Sequence, residues 1–517
     1  MKSLGLLLML ATPSLFGQPP IAVTGVVRQA LTGDPLPNIL VTLNRTDAPG
    51  PEQAVTTVPN GQFEFLVPPG TYRLMAESPI FGGQIYGATS FQSGSGVALV
   101  LTPSTRLPPL DFRLTPPAAI EGTVIDGHGE PIQAAQVQLF QTLILEGRLT
   151  VIARGSANTN DLGNYRFPGL GPGEYHLVAS GTPWHTWDGL APGRGSYLVP
   201  QFYPNARSAD SAAPLVLRVA EDARADFRLD EATGPGVQLS LVEAPPGIAM
   251  RLSINARGFG GRTRLQHLGT VSSSFHRVDG IPPGEYEVVV QGVVRGKPYR
   301  GLARISLAAD DVTVRMPVHE MPTISGRVDC AGQSTTKMTI SLYDRDQQAR
   351  VPAALRPDGT FISANITPGR YSFLLAGAAN CSVDRVTVGG KAVPGNRLVV
   401  GTDPIAEIVV EAKSVVSSVH GILRRGEIAQ PGVKVYLAPV PPNETGPYRV
   451  YLTDSDGSFD FRRLPAGRYT LFLAPGAPEL FEYANPESIA PYLKNAPTIE
   501  LDADQRIRQD LAQPDPQ

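Results

Sequence analysis

The side chains that most often bind metals or transfer protons are sparse in this sequence. Its seven histidines lack metal-ligand spacing and stand at positions 128, 176, 185, 267, 276, 319 and 420. The sequence contains no His-Glu-x-x-His, no Gly-x-Ser-x-Gly, no P-loop and no dinucleotide-binding fingerprint. We therefore expect no catalytic residues, no metal site and no cofactor, and we predict that the protein is not an enzyme.

Cys330 and Cys381 are the two cysteines of the chain, and no motif marks either of them as a nucleophile. In an exported protein such a pair can form a disulfide. The alternative is that both are buried thiols that pack as small apolar side chains. We favour the disulfide.

The segment Asp454-Ser455-Asp456-Gly457 is similar to the start of a calcium-binding loop. An EF-type loop requires a glutamate about six residues after the glycine. Arg463 occupies that position, so the segment is interpreted as a hairpin turn.

Aromatic side chains are concentrated in one stretch of the chain. Trp184 and Trp187 are its two tryptophans, and Tyr197, Phe202 and Tyr203 follow. Amphipathic rings on a loop can stack on the apolar face of a sugar, so Trp184, Trp187, Tyr197 and Tyr203 are candidate ligand-binding residues. In the alternative interpretation, the loop folds back and buries these rings against its own domain.

The N-terminus has the pattern of a secretory signal peptide, predicted to cover residues 1–17. A basic start at Lys2 precedes an apolar run from Leu4 to Leu10, and the segment ends at Gly17. No later stretch of about 18 apolar residues indicates a transmembrane helix. We expect a secreted, periplasmic or cell-surface protein with a cleaved signal peptide. The formal net charge of −3 over 517 residues gives no indication of a nucleic-acid partner.

One phrase recurs five times along the chain. Except in the third copy it begins with Asn-Gly, Asp-Gly or Asp-Leu-Gly, and each copy continues with aromatic residues and ends in Pro-Gly-x-Tyr or a close variant. The copies lie at 60–74, 161–177, 275–288, 358–373 and 456–471. Asp-Gly and Asn-Gly favour tight hairpin turns, and alternation with period two indicates strands with one buried face. The phrase therefore predicts a β-hairpin.

Further strand patterns surround each copy, which gives every unit room for about seven short strands. The third unit has lost the glycine of the opening strand, and Val237 to Leu241 is the best candidate for that strand. Pro-rich seams place the boundaries of five predicted domains, which follow the signal peptide at 18–115, 116–232 (with the aromatic loop), 233–320 (degenerate), 321–413 and 414–517. Because the seams are short, we expect a semi-extended rod with limited hinge motion.

This order of motifs resembles the carboxypeptidase regulatory-like domain. The resemblance rests on the opening Gly-x-Val strand, the turn Gly33 to Pro37, the segment Asp161 to Phe167, and Pro172-Gly173 before Tyr175. It implies an all-β fold, a tandem array of seven-stranded antiparallel sandwiches of the transthyretin or prealbumin type, related to Cna-B-like and starch-binding-like modules. Cna-B-like domains often contain a Lys–Asn isopeptide bond. The first two domains contain no lysine, whereas Lys337 and Lys434 leave that bond open in the last two.

These observations predict a non-enzymatic binding or scaffold protein of the cell envelope. Its partner would be a protein or a polysaccharide, recognised by loops and by exposed edge strands. The alternative is an accessory subunit of an envelope transport, export or peptidase complex whose catalytic chain is separate.

Overall fold

The structure is a computed structural model. It describes residues 19–88, 96–183, 196–245, 249–256, 258–259, 263–271, 275–330, 335–336, 338–344, 349–377, 381–414, 417–442 and 447–513. These ranges contain 44 strands and one short α-helix, α1 (Pro486–Ile489), so the predicted all-β fold is confirmed. The predicted signal peptide, residues 1–17, lies outside them.

The first domain consists of two layers. One has the strand order β4-β1-β8, and the other has the order β3-β2-β5-β6, with β7 paired to β5. Its strands are β1 (Ile21–Gln29), β2 (Leu40–Arg45), β3 (Gln53–Thr56), β4 (Gln62–Val67), β5 (Gly70–Ser78), β6 (Gly82–Ile85), β7 (Leu99–Leu101) and β8 (Leu110–Leu114).

The second domain repeats this plan. Its layers have the orders β12-β9-β17, with β18 also on β9, and β11-β10-β13-β15, with β16 on β13. Its strands are β9 (Ala118–Asp126), β10 (Gln136–Leu145), β11 (Arg148–Asn158), β12 (Asn164–Leu170), β13 (Gly173–Ser180), β14 (Ser196–Leu198), β15 (Gln201–Phe202), β16 (Leu215–Leu217), β17 (Asp222–Arg224), β18 (Phe227–Leu229) and β19 (Glu231–Thr233).

In the third and fourth domains the two layers are hydrogen-bonded into one bent sheet. The third has the order β22-β21-β24-β25-β26-β20-β23, and its strands are β20 (Val237–Val242), β21 (Met250–Ala256), β22 (Thr263–Val271), β23 (Phe275–Val278), β24 (Gly284–Val294), β25 (Lys297–Leu307) and β26 (Val312–Glu320).

The fourth domain has the order β33-β32-β35-β27-β30-β29-β28-β31-β34. Its strands are β27 (Ile324–Cys330), β28 (Met338–Asp344), β29 (Ala349–Leu355), β30 (Thr360–Ser363), β31 (Gly369–Gly377), β32 (Cys381–Val388), β33 (Lys391–Ala392), β34 (Arg397–Val400) and β35 (Ile405–Ser414).

The fifth domain returns to two separate layers. One is built on β36, which pairs with β37, β40, β43 and β44, and the other has the order β39-β38-β41-β42. Its strands are β36 (Ser418–Arg425), β37 (Ile428–Ala429), β38 (Lys434–Pro439), β39 (Arg449–Leu452), β40 (Ser458–Arg462), β41 (Gly467–Phe472), β42 (Thr498–Leu501), β43 (Arg506–Arg508) and β44 (Leu511–Ala512).

One pairing scheme is common to all five domains. The opening strand pairs antiparallel with the strand after the Asp-Gly or equivalent turn, and parallel with the closing strand, as β1 does with β4 and β8. In the third domain β20 occupies this opening position, as the sequence predicts. The strand number varies because the insertion after β5 adds β6, and because a break divides the closing strand of the second domain into β17 and β18.

The glycine of the opening strand is explained by close approach of the closing strand. A Cβ on Gly122 would lie 1.9 Å from the Ala225 carbonyl oxygen, and a Cβ on Gly421 would lie 2.0 Å from that of Gln509. Both carbonyls lie at the break in the closing strand. In the third domain the parallel ladder from β20 to β26 runs without a break, and Ser240 is accommodated opposite Arg315.

Five large hydrophobic clusters fill the spaces between the layers. Their members lie within 23–114, 118–229, 237–318, 324–412 and 419–511, and each cluster is contained in one predicted domain. Aromatic residues of the recurrent phrase, such as Phe63, Tyr165 and Phe459, belong to these clusters. The phrase is thus a core-building element.

The expectation of a semi-extended rod is wrong for this structure. The fifth domain lies against both the first and the second, since Ser455 N–H donates to the Ala98 carbonyl at 2.9 Å and Ala484 N–H donates to the Gly147 carbonyl at 2.9 Å. Short Pro-rich seams restrict hinge motion, but they also permit bends that return the end of the chain to its beginning.

Candidate functional site

The tyrosine of the recurrent phrase has the same role in every domain. Its hydroxyl donates to the carbonyl oxygen four residues earlier, over 2.7–2.9 Å, in the pairs Tyr72–Pro68, Tyr175–Gly171, Tyr286–Pro282, Tyr371–Thr367 and Tyr469–Pro465. The ring is buried each time, so the hydroxyl needs this partner. These tyrosines hold the Pro-Gly turn against the core.

A threonine before the Asp-Gly or Asn-Gly turn performs a second structural task. The Thr453 hydroxyl donates to the Gln430 carbonyl at 2.6 Å and accepts from Val433 N–H at 2.9 Å. Thr57 and Thr159 make the corresponding pairs of bonds in the first and second domains. These three threonines stand at equivalent places in the sequence. None of the motifs in the sequence analysis includes them.

Two of the four predicted ligand-binding residues lie outside the described ranges, namely Trp184 and Trp187. Tyr197 is 8% exposed, and its ring lies against the backbone of Gly234 at the start of the third domain. Tyr203 is partly buried against the core of the second domain. In this conformation Tyr197 and Tyr203 are packing residues.

An aromatic pocket on the outer face of the second domain lies next to these tyrosines. Phe140, Val178 and Phe202 line it, and Phe259 of the third domain covers it, 5.4 Å from Phe140 between ring centroids. His176 stacks 4.4 Å from Phe259, and burial lowers the pKa of its imidazole. The pocket is therefore a contact between domains.

The fifth domain covers the equivalent outer face with its own chain. Phe481, Ala484 and Ile489 pack on Tyr436 and Phe472 of the sheet. Asn485 caps α1 by accepting from Glu487 N–H at 3.0 Å. This segment follows the Pro-Gly-x-Tyr strand, at the same place in the repeat as the aromatic stretch of the second domain.

Cys330 and Cys381 are joined by a disulfide in the structure, with 6.4 Å between their Cα atoms. Both side chains are buried in the core of the fourth domain. The bond connects the end of β27 to the start of β32. Lys434, one of the two lysines that left an isopeptide bond open, is exposed on β38, and Lys337 lies outside the described ranges.

A shallow groove recurs between the layers of the first two domains. In the first domain it lies between β3 and β4, with Thr56, Gln62 and Glu64 on its walls. In the second it lies between β11 and β12, with Asn158 and Arg166 among its lining residues. Because the groove occupies equivalent strands and differs in side chains, it is a place where the repeat can vary its surface without changing its core.

Titratable groups are not gathered into a reactive site in the described part of the chain. No three His, Cys, Asp or Glu side chains there are close enough together to hold a metal ion. His319 pairs with a single carboxylate of its own domain, since its Nδ1 lies 3.4 Å from the Glu243 carboxylate. None of the helices in the described ranges has the length and apolar character that a bilayer crossing demands.

Comparison with known families supports the resemblance seen in the sequence. The profile of the carboxypeptidase regulatory-like domain matches residues 22–104 and 119–230. These two matches fall in the first and second domains. The matched ranges overlap β1 to β7 and β9 to β18, while β8 lies between them. No curated protein sequence matches the chain.

The chain also matches solved structures at low sequence identity, among them two pilins. The Bacillus anthracis TIE protein is 12% identical, with 78% of this chain and 76% of that chain covered and a TM-score of 0.18. The minor pilin GBS52 of Streptococcus agalactiae is 14% identical, with coverages of 41% and 97% and a TM-score of 0.22. The Bacillus cereus major pilin subunit BcpA is 11% identical, with coverages of 77% and 99% and a TM-score of 0.16.

Proposed function

We propose that the protein is an exported, non-enzymatic scaffold that binds a protein or polysaccharide of the cell envelope through loops and grooves carried on β-sandwich domains. The observation that carries this proposal is the use of the recurrent phrase. Its tyrosines, aromatics and glycines serve turns and cores in each domain, which leaves recognition to the segments that differ.

Polar groups at the groove of the second domain suit a hydroxyl-rich ligand. Arg166 pairs with Glu121 and lies 3.3 Å from Asp222, and Arg224 lies 2.8 Å from Asp226. These exposed pairs contribute little to stability, so a ligand can replace them at small cost. The predicted aromatic loop with Trp184 and Trp187 belongs to the same domain and would supply ring stacking.

A glycan array tests the ligand class directly. The chain without residues 1–17 is compared with the Trp184→Ala/Trp187→Ala double variant, and Leu162→Ala is the matched control because Leu162 is an exposed apolar residue of the same domain. We expect binding that the double variant loses and the control keeps. Equal binding by all three proteins would show that the aromatic loop is not part of the binding site.

The accessory-subunit alternative is favoured by one feature, the long edge strand β11. This strand pairs with β10 alone among the described strands, and most of its central side chains are at least partly exposed. An edge of this kind can accept a strand from a partner protein. Cross-linking of envelope extracts followed by mass spectrometry would show partner peptides linked near Arg148–Asn158 if this alternative holds.

A further inference from the structure

The turn Thr453–Gly457 of the fifth domain lies against strand β7 of the first domain. Ser455 N–H donates to the Ala98 carbonyl at 2.9 Å, and Val100 N–H donates to the Ser455 hydroxyl at 2.9 Å. Strand β7 otherwise pairs with β5 alone among the described strands. The turn therefore covers backbone groups of a sheet edge, as an added strand would.

The other domains have different residues at the position equivalent to Ser455. The turns of the first, second, fourth and fifth domains share one frame, in which the glycine N–H donates to the carbonyl three residues earlier. Two residues before that glycine stand Pro59, Asp161, Pro357 and Ser455. Proline has no N–H to donate, so the turns of the first and fourth domains cannot make the bond that Ser455 makes.

A carboxyl group is buried at the same contact. Asp454 is 8% exposed, and its Oδ2 accepts from the Tyr451 hydroxyl at 3.0 Å. Burial raises the pKa of Asp454 to about 6, and nearby Asp456 adds to the rise, whereas Arg73 and the Ala98 backbone of the first domain oppose it. Arg462, paired with Asp460 at 2.7 Å, completes the charged surroundings.

The second domain holds the fifth from another side. Gly147, at the tip of the β10–β11 hairpin, accepts from Ala484 N–H at 2.9 Å, and Leu149 N–H donates to the Glu482 carboxylate at 3.0 Å. A Cβ on Gly147 would lie 2.6 Å from the Ala484 Cβ, so the two backbones are in close contact. The fifth domain is thus bound by polar contacts to both regulatory-like domains.

We propose that these contacts form a reversible latch, in which the fifth domain docks on the first two, closes the chain and covers the β7 edge. The latch consists of Ser455 and Asp454 on one side and of the Gly147 hairpin on the other. When it opens, β7 offers unpaired backbone groups to a partner, so the edge is available only in the open form. This inference does not depend on the identity of the ligand.

The charge of Asp454 does not by itself set the strength of the latch. Burial raises the pKa of this carboxyl, but the two groups of the first domain that act on it, Arg73 and the Ala98 backbone, lower that pKa. The latch is therefore tested through its hydrogen bonds, at a single pH.

Small-angle X-ray scattering of the chain without residues 1–17 tests the latch. We expect the unmodified protein to be compact at pH 5 and the Ser455→Pro variant to have a larger maximum dimension. The equivalent turns of the first and fourth domains already contain proline at this position, so the substitution fits the turn. Asp161→Pro places proline in the equivalent turn of the second domain, which makes no backbone hydrogen bond to another domain among the described residues, and should leave the dimension unchanged.

Two further variants distinguish an open latch from a misfolded fifth domain. Ser455→Ala keeps the N–H and loses the hydroxyl, so it should expand the particle less than Ser455→Pro. Asp454→Asn carries the residue of the second-domain turn, Asn160, and leaves Ser455 in place, so it should stay as compact as the unmodified protein at pH 5. A protein at pH 5 that is as extended as Ser455→Pro, or a Ser455→Pro variant as compact as the parent, would overturn the proposal.

Discussion

Two contacts between domains illustrate different ways of joining β-sandwiches. The second and third domains meet through Phe259, which fills an aromatic pocket beside His176. The first and fifth meet through backbone hydrogen bonds at Ser455 and a buried carboxyl at Asp454. The first contact removes apolar surface from water, whereas the second depends on the position of individual donors and acceptors.

The two contacts differ in how they respond to acid. Burial lowers the pKa of His176, so protonation weakens the aromatic contact. At Asp454 burial raises the pKa, whereas Arg73 and the Ala98 backbone of the first domain lower it, so the polar junction has no matching response to acid.

The largest effect is expected in the fifth domain, whose own chain covers the apolar outer face of its sheet. Phe481 is 6% exposed and packs edge-on against Tyr436 with 5.4 Å between ring centroids. Phe481→Ala should lower the free energy of unfolding of the fifth domain by about 3 kcal/mol, since it leaves a cavity. Native-state hydrogen exchange of β38 and β41 measures this loss. Unchanged protection would show that the segment does not stabilise the sheet.

A smaller effect is expected for the outer face of the second domain, which Phe259 of the third domain covers. Phe259→Ala should weaken the contact between the second and third domains by about 2 kcal/mol, because the ring is only partly buried. The core of the third domain should be nearly unaffected, since Phe259 is not part of it. Hydrogen exchange that shows equal loss in β20 and in the β13 face would contradict a role confined to the contact.

The paired threonines should respond alike in the two domains. Thr159→Val and Thr453→Val each remove a hydroxyl that makes two hydrogen bonds and leave buried backbone groups unsatisfied. A loss of about 1–2 kcal/mol is expected in each host domain. Thermal unfolding with domain-resolved hydrogen exchange checks this. If only Thr453→Val destabilises, the hydroxyl matters through docking and not through the turn.

The smallest effect is the pH dependence of the aromatic contact. His176, with Glu174 and Thr142 as its polar neighbours, has its pKa lowered from 6.5. The contact is complete above pH 6.5 and should weaken as pH falls through this value towards the lowered pKa. Scattering or exchange data between about pH 7 and pH 5 measure the loss, and His176→Phe should abolish the dependence. A contact that tightens in acid would refute this assignment.

Much of the fold followed from local sequence. The hairpin predicted across the Pro-Gly turn is wrong, because β4 pairs with β1 and β5 pairs with β2, so this turn connects the two layers. Gly61 and Gly163 do adopt positive φ in the turns that Asn-Gly and Leu-Gly occupy. These features depend on residues near one another in the chain, so their physics is visible in short windows. The family profile then supports the same interpretation for two domains.

The contacts between domains could not be predicted in this way. Ser455 and Ala98 are far apart in the chain, and neither residue type indicates the other. Tyr197 was a candidate for ligand stacking, but its burial against Gly234 depends on where the third domain lies. A ring on a loop looks the same in sequence whether it meets a sugar or a neighbouring domain.

The most direct test of the account is native hydrogen exchange on the unmodified chain, read by mass spectrometry at pH 5. We expect slow exchange in all five opening strands (β1, β9, β20, β27 and β36), which lie in the centre of their layers. The Ser455 amide should be protected, whereas that of Asp161 in the equivalent turn should exchange quickly. Opening strands that exchange as fast as turns, or a Ser455 amide as fast as Asp161, would contradict it.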